Sequence, residues 1–158
     1  MAKKPDTDGE LIAENRKARH DYHIGETLEV GIILHGSEVK AVRDHKVSLT
    51  EGWVLARAHP PELLLMSVNI GEFGPAGALG HKPVRPRGLL AHKSEVRRLA
   101  KAMEVKGATI VPLKMYFKNG YAKVLIGVAK GKAEHDKRDA IAKRDAKRDM
   151  DRAMSRRR

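Results

Sequence analysis

Two short runs of this 158-residue chain gather groups able to grip an anion. In NRKARHDYHI, Arg16, Lys17, Arg19 and His20 stand together beside Tyr22. Cationic side chains contact phosphates and an aromatic ring stacks on an unpaired base, so the combination suits RNA. The same run also reads as a solvated helix end with Tyr22 in the core. In KPVRPRG, Lys82, Arg85 and Arg87 occupy a proline-stiffened segment whose guanidinium groups can fork onto phosphate oxygens at limited entropic cost. Trp53 is the lone tryptophan, a residue usually found in a core.

Catalytic chemistry finds little support. His20 and His23 are the closest histidine pair, but alternation along a strand would turn residues i and i+3 to opposite faces, and no cysteine or carboxylate cluster completes a metal site. GPAGALG lacks the lysine-serine or lysine-threonine and the following helix of a phosphate loop, and reads as a mobile loop. Ser37, Ser48, Ser67, Ser94 and Ser155 lie in no nucleophile motif, and the scattered carboxylates form no acid-base pair. Zero cysteines exclude disulfides, iron-sulfur clusters and thiol nucleophiles, and suit a reducing compartment. The expectation is a binding protein without cofactor or metal.

Charge says what is bound. Lysine and arginine number 32 against 20 acidic residues, a net +12 that fits a polyanionic partner. Residues 1–24 are neutral overall, residues 25–129 carry +6, and residues 130–158 carry another +6. No stretch approaches a membrane span and MAKKPDTDGE lacks the apolar run of a secretory signal, so a cytoplasmic location is expected.

These residues must be held by a mainly β body. In ETLEVGIIL, Leu28, Val30, Ile32 and Leu34 alternate with their neighbours, the period of a half-buried strand. GSEVKAVR, VSLTEGWVLARA and ELLLMSVNI continue as short strands between turn sites. TIVPLKMYF and YAKVLIGVA flank Lys118-Asn119-Gly120, where Asn-Gly supplies the positive φ angles of a tight hairpin. One helix is predicted in HKSEVRRLAKAMEVKG, with Val96, Leu99, Ala100 and Met103 at helical spacing, and a shorter one around Glu10 to Ala18. Prolines and glycines make Ile70 to Lys93 a long loop. About six antiparallel strands with flanking helices close most economically as an OB-like barrel.

The last segment differs in kind. Its acidic and basic residues fall at three- and four-residue spacing, and Ala142, Ala146, Met150 and Met154 form an apolar stripe too narrow to dock firmly. A disordered basic tail that becomes helical against an anionic surface is expected. The organisation predicted is a flexible leader, residues 1–13; a barrel, residues 14–129; and a tail, residues 130–158.

ENRKARHDYHI, the strand bearing Glu29, GSEVKAVR, RPRGLLAHK, KMYFKNGYAKVLIGVAKGK and HDKRDAIAKRD occur in an order that resembles the SsrA-binding protein (small protein B) family, from Glu14 to Met154. The resemblance implies an OB-like, non-catalytic adaptor that binds transfer-messenger RNA (tmRNA). It also implies delivery of alanyl-tmRNA, with elongation factor Tu, to bacterial ribosomes stalled without a stop codon. On that resemblance Asn15, Arg16, Lys17, Arg19, His20 and Tyr22 match an RNA-contact motif. Glu29 and Glu38-Val39-Lys40 match positions on strands facing the RNA's transfer-RNA-like elbow, where a carboxylate can accept from a base amine or a 2′-hydroxyl. Arg85 and Arg87 match its basic loop, and Leu90 an apolar contact. Trp53 matches an aromatic position facing the ribosome, and Lys130, Lys132, Asp136, Lys137 and Arg138 the opening of a tail that occupies the empty messenger channel near the decoding centre. Three departures from the family's pattern stand out: Gly88 occupies a position usually basic, Ala153-Met154 replaces a bulkier apolar pair late in the tail, and the end Arg156-Arg157-Arg158 is unusually basic. The reading from another class is a ribosomal or general RNA-packing protein that merely neutralises ribosomal RNA.

Overall fold

The computed structural model describes residues 9–156. Its organising unit is the hairpin of β8 (Ala108–Lys118) and β9 (Tyr121–Gly131), closed by Asn119 and Gly120 at φ 52° and 79°. Positive φ at both positions is what an Asn-Gly turn accommodates, and its twist matches that of the strands. Along β9, Val124, Ile126 and Val128 face the main core, while Leu125 and Ala129 face a second cluster on the opposite side. Both faces of the hairpin are therefore covered, which explains why it reads as a nearly continuous apolar run.

Around this hairpin a seven-stranded antiparallel sheet runs β1-β8-β9-β2-β7-β5-β4, with β1 (Leu11–Glu14), β2 (Tyr22–Ile32), β4 (Trp53–Ala58), β5 (Pro61–Met66) and β7 (Arg87–Leu90). The register of β2 on β9 sets Glu29 opposite Leu125, and the end of β2 sets Gly31 opposite Leu90 of β7. Pairing shifts occur in β2 between Ile24 and Thr27 and in β8 between Pro112 and Lys114. Bulges tighten the twist, and Pro112, which has no N–H for the ladder, sits at one of them. The sheet curls until β4 packs against β8. A two-stranded ribbon, β3 (Val47–Ser48) with β6 (Asn69–Ile70), completes the nine strands of the described residues in an OB-like body.

Among the described residues four helices flank it. α3 (Lys93–Met103) buries Val96 and Leu99 in the same core as Val54, Leu65, Ile110, Met115 and Ile126. α1 (Arg16–Asp21) lays Ala18 on the outer face of the hairpin, in the cluster of Val111, Leu113 and Tyr116. α2 (Gly36–Arg43) lies where a strand was expected from GSEVKAVR. Its buried residues Glu38, Ala41 and Val42 have helical spacing, and the Glu38 carboxylate accepts the His35 N–H at 2.9 Å, a side-chain cap on the first turn. α4 (Glu134–Arg156) is the tail in helical form, 23 residues or about 34 Å long.

Other expectations are refined. The helix placed at Glu10 to Ala18 is β1 followed by α1, since Asn15 caps the helix and the preceding residues pair with β8. The leader's last residues, 11–13, thus belong to the sheet, while residues 1–8 lie outside the described residues. VSLTEGWVLARA divides into β3 and β4, and ELLLMSVNI into β5 and β6 at Ser67, whose φ is 58°. The presumed loop of residues 70–93 contains a 3-10 turn, Gly74–Leu79, and β7, which fills the sheet between β2 and β5. Among the described residues no helix is long and apolar enough to cross a membrane.

Candidate RNA-binding interface

α1 exists because Asn15 starts it. The Asn15 Oδ1 accepts the Ala18 N–H at 3.1 Å, and Nδ2 donates to Pro112 O at 3.0 Å and Leu49 O at 3.3 Å. Asn15 is buried and stitches α1 to the seam between β8 and the turn after β3, at the base of the cleft lined by Lys17 and Trp53. Arg16, Lys17 and Arg19 are exposed, as a phosphate-contacting set requires. Tyr22 is half buried against the cluster holding Ala18 and Tyr116. Tyr22 also lines a cleft of about 320 Å³ with Lys17, Glu51 and the exposed edge residue Trp53.

The corner between α1 and α4 is held by Asp21. Its carboxylate meets His20 Nδ1 at 2.9 Å and Lys137 Nζ at 3.7 Å, and its carbonyl accepts the Lys132 N–H at 2.9 Å. Lys132 Nζ donates to Arg19 O at 3.1 Å. The His20 hydrogen bond first, then Lys137 and Lys17, hold the Asp21 carboxyl below its usual range against the opposing effect of burial. Thus Lys132 and Lys137 set the take-off of α4 as well as carrying charge. Lys130, at the exposed end of β9, and Arg138, on α4, lie beside them; Asp136 is in α4, its side chain outside the described residues. Beyond this corner Ile141, Met150 and Met154 are exposed.

A second cleft, about 400 Å³, is lined by Glu29, Gly31, Leu90, His92, Glu95 and Lys123. The buried Tyr116 hydroxyl donates to Glu29 Oε2. Burial, together with this bond, pushes the Tyr116 hydroxyl above its ordinary range, so it stays a donor. Glu29 Oε1 faces Lys118 Nζ at 3.6 Å, too long for a hydrogen bond, and so has acceptor capacity to offer a ligand. Leu90 is 59% exposed on the same cleft. A Cβ at Gly31 would come 3.3 Å from Leu90 Cβ, so the glycine lets β7 lie close under that side chain. A residue larger than glycine at Gly88 would likewise meet Ile33 Cδ1 at 3.0 Å.

Two expected contacts turn out to be internal. Glu38 and Arg87 are fully buried and paired with one another, and Arg85 joins the same carboxylate. Arg87 also donates to Val68 O at 2.8 Å and Pro83 O at 3.0 Å. The expectation that Glu38 faces RNA from a strand, and that Arg87 forks onto phosphate from a loop, is corrected on this ground. Glu38 lies in α2 and Arg87 in β7, and each neutralises the other away from solvent. Lys40 remains exposed, its Nζ 5.1 Å from the centre of the Phe73 ring, and Arg85 is partly exposed.

The resemblance names Glu29 and Leu90 separately among the RNA contacts, and the structure sets both on one cleft. Sequence reasoning missed Tyr116, Lys118 and Lys123, because only the pairing of β2 with β9, and of β9 with β8, brings them beside Glu29. Among the described residues no cluster of three or more histidine, cysteine, aspartate or glutamate side chains could hold a metal ion.

Comparison with known proteins gives this interface its context. The family model described as "SmpB protein" matches residues 12–156. The chain is 51% identical over 156 residues to the SsrA-binding protein of Limosilactobacillus fermentum, covering 98% of each. To that of Shouchella clausii it is 46% identical over 151 residues, covering 96% of each. A solved structure described as "tmRNA-SmpB: a journey to the center of the bacterial ribosome" superposes with a TM-score of 0.65 at 44% identity, over 83% of this chain and 94% of that one. With a family model spanning nearly every described residue and relatives alike from end to end, the chain belongs to the SmpB family of SsrA-binding proteins.

Proposed function

We propose that this chain binds tmRNA and delivers it, charged with alanine, to stalled ribosomes for trans-translation. Family membership names the RNA, and the observation that carries the chemistry is the Glu29–Leu90 cleft. There a carboxylate with an acceptor oxygen to offer and an exposed apolar side chain stand beside Lys118 and Lys123, with Glu95 on the same cleft, a combination suited to bases and 2′-hydroxyls. Arg16, Lys17 and Arg19 add phosphate contacts from α1, with His20 beside them.

The body, residues 14–129, holds the transfer-RNA-like part of tmRNA, occupying the space a codon-anticodon stem would fill. Residues 130–158 enter the vacant messenger channel, with Lys130, Lys132, Asp136, Lys137 and Arg138 at its mouth and Trp53 turned to the small subunit. Elongation factor Tu carries the same charged RNA. The protein contributes binding and placement rather than a catalytic group, and works in the cytoplasm. A reconstituted translation reaction on a messenger lacking a stop codon tests this: tagged product should appear only when the chain is present. Tagging at equal yield without it would refute the proposal.

A further inference from the structure

A cavity of about 780 Å³ opens between the first turn of α2 and residues 73–85, and shares no lining residue with the Glu29–Leu90 cleft. Its size falls in the range of roughly 300–1,000 Å³ typical of small-ligand pockets. Two walls differ in chemistry. One presents Lys40, Lys82 and Arg85; the other is Phe73, Pro75 and Ala76.

Among the described residues no carboxylate lines this cavity. Glu38, the acid of α2, is turned inward, where it faces both Arg85 and Arg87. The charged side chains on the lining are therefore Lys40, Lys82 and Arg85, all cationic. The walls are also tied together in advance. His81, itself buried, meets Ser37 Oγ through Nδ1 at 2.9 Å and Ile70 O through Nε2 at 2.9 Å. A carbonyl only accepts, so Nε2 carries a proton, and α2 is bound through Ser37 to the segment that forms the far wall. A preformed site loses less to ordering when it is filled.

We infer that this cavity receives one unpaired nucleotide of an RNA strand, its phosphate against Lys82 and Arg85 and its base on the Phe73–Pro75 wall. Lys40, a flexible exposed side chain now resting over Phe73, yields the ring face to the base and moves to the phosphate. The inference rests on the reading of the chain as an RNA binder, but not on Glu29.

The test uses the isotope-labelled full chain, titrated with inorganic phosphate, 5′-AMP and a short oligoadenylate while backbone NMR signals are followed. Saturable shifts are expected at Phe73, His81 and Lys82, strongest with the oligomer and at least about tenfold weaker with phosphate, since a stacked base adds affinity of that order. Lys82→Ala, at an exposed position, and Phe73→Leu should each weaken oligoadenylate about tenfold, with unaltered melting curves for Lys82→Ala. Absence of saturable shifts, or phosphate binding as well as the oligomer, would overturn the inference. So would 5′-AMP binding as tightly as the oligomer, which would point to a free nucleotide. A parallel titration with the transfer-RNA-like fragment of tmRNA tests the proposed function separately. Its failure beside an intact oligoadenylate response would sink that reading alone.

Discussion

A carboxylate among cations can recognise a ligand or hold its neighbours in place, and exposure divides those tasks between Glu29 and Glu38. Glu29 keeps one oxygen for Tyr116 and turns the other toward Lys118 across an open cleft. Glu29→Ala should lower affinity for the transfer-RNA-like fragment by roughly tenfold and cost about 1 kcal/mol of stability through the orphaned tyrosine hydroxyl. Tighter binding by that variant, as simple removal of negative charge would give, would contradict the assignment. Glu38 is different: removing it strands the buried Arg87 guanidinium. Glu38→Ala should lose about 3–5 kcal/mol in urea unfolding, as when one member of a buried ion pair is deleted. Burial alone would raise the Glu38 carboxyl, but hydrogen bonds from Arg85, the His35 backbone and Arg87 outweigh it and hold it below the ordinary 4.5. A carboxyl lowered on folding contributes stability that is fully present above its unfolded value and is lost as pH falls through the folded one. Unfolding curves should therefore show a loss setting in below about pH 4.5, smaller in Glu38→Gln, which has no charge there to lose. Equal acid sensitivity in the two proteins would show that other carboxyls dominate.

At the scale of elements, α4 is where local sequence and tertiary support part company. Its start is fastened by Lys132 and Lys137 to Asp21, yet Met150 and Met154 further along are exposed. A peptide of residues 133–156 should show little helix by circular dichroism at room temperature, because nucleation is costly and the stripe finds no partner. Truncation after Lys132 should leave affinity for the RNA fragment within about threefold, since at most one or two phosphate contacts go, yet abolish tagging. A stably helical peptide, or an equal loss in both assays, would refute a separate role for the tail. The hairpin of β8 and β9 and the amphipathic α3 were legible because Asn-Gly and a helical stripe are local signals. α2 was not, although Glu38, Ala41 and Val42 sit at helical spacing, because its helical signal depends on burying an acid whose partners lie 47 and 49 residues away. β7 was hidden for a similar reason: only its places beside β2 and β5 make a strand of four residues among prolines. The same non-locality explains the site. Glu29 and Leu90 were recognisable by motif, whereas Tyr116 and Lys118 come beside Glu29 only through strand register, and Asn15 and Arg87 looked like surface groups until folding buried them.

For the whole molecule, the net charge of +12 is shared equally between residues 25–129 and residues 130–158, so attraction to phosphate is general and any discrimination must come from a few places. Binding of the RNA fragment should weaken by about a thousandfold between 50 and 200 mM salt if six or so phosphates are neutralised. A flat salt response would remove the electrostatic account. Charge alone would serve a protein that coats any RNA, and under the proposed function the Glu29–Leu90 cleft is what would separate this chain from such a protein. The decisive measurement is a paired titration at about 150 mM salt, where surface charge is screened within roughly 8 Å. One arm uses the transfer-RNA-like fragment of tmRNA and the other a plain RNA duplex of equal length. The account predicts binding to the fragment at least about tenfold tighter, as one good recognition contact supplies, with most of that preference lost in Glu29→Ala; equal affinity for the two RNAs would contradict it.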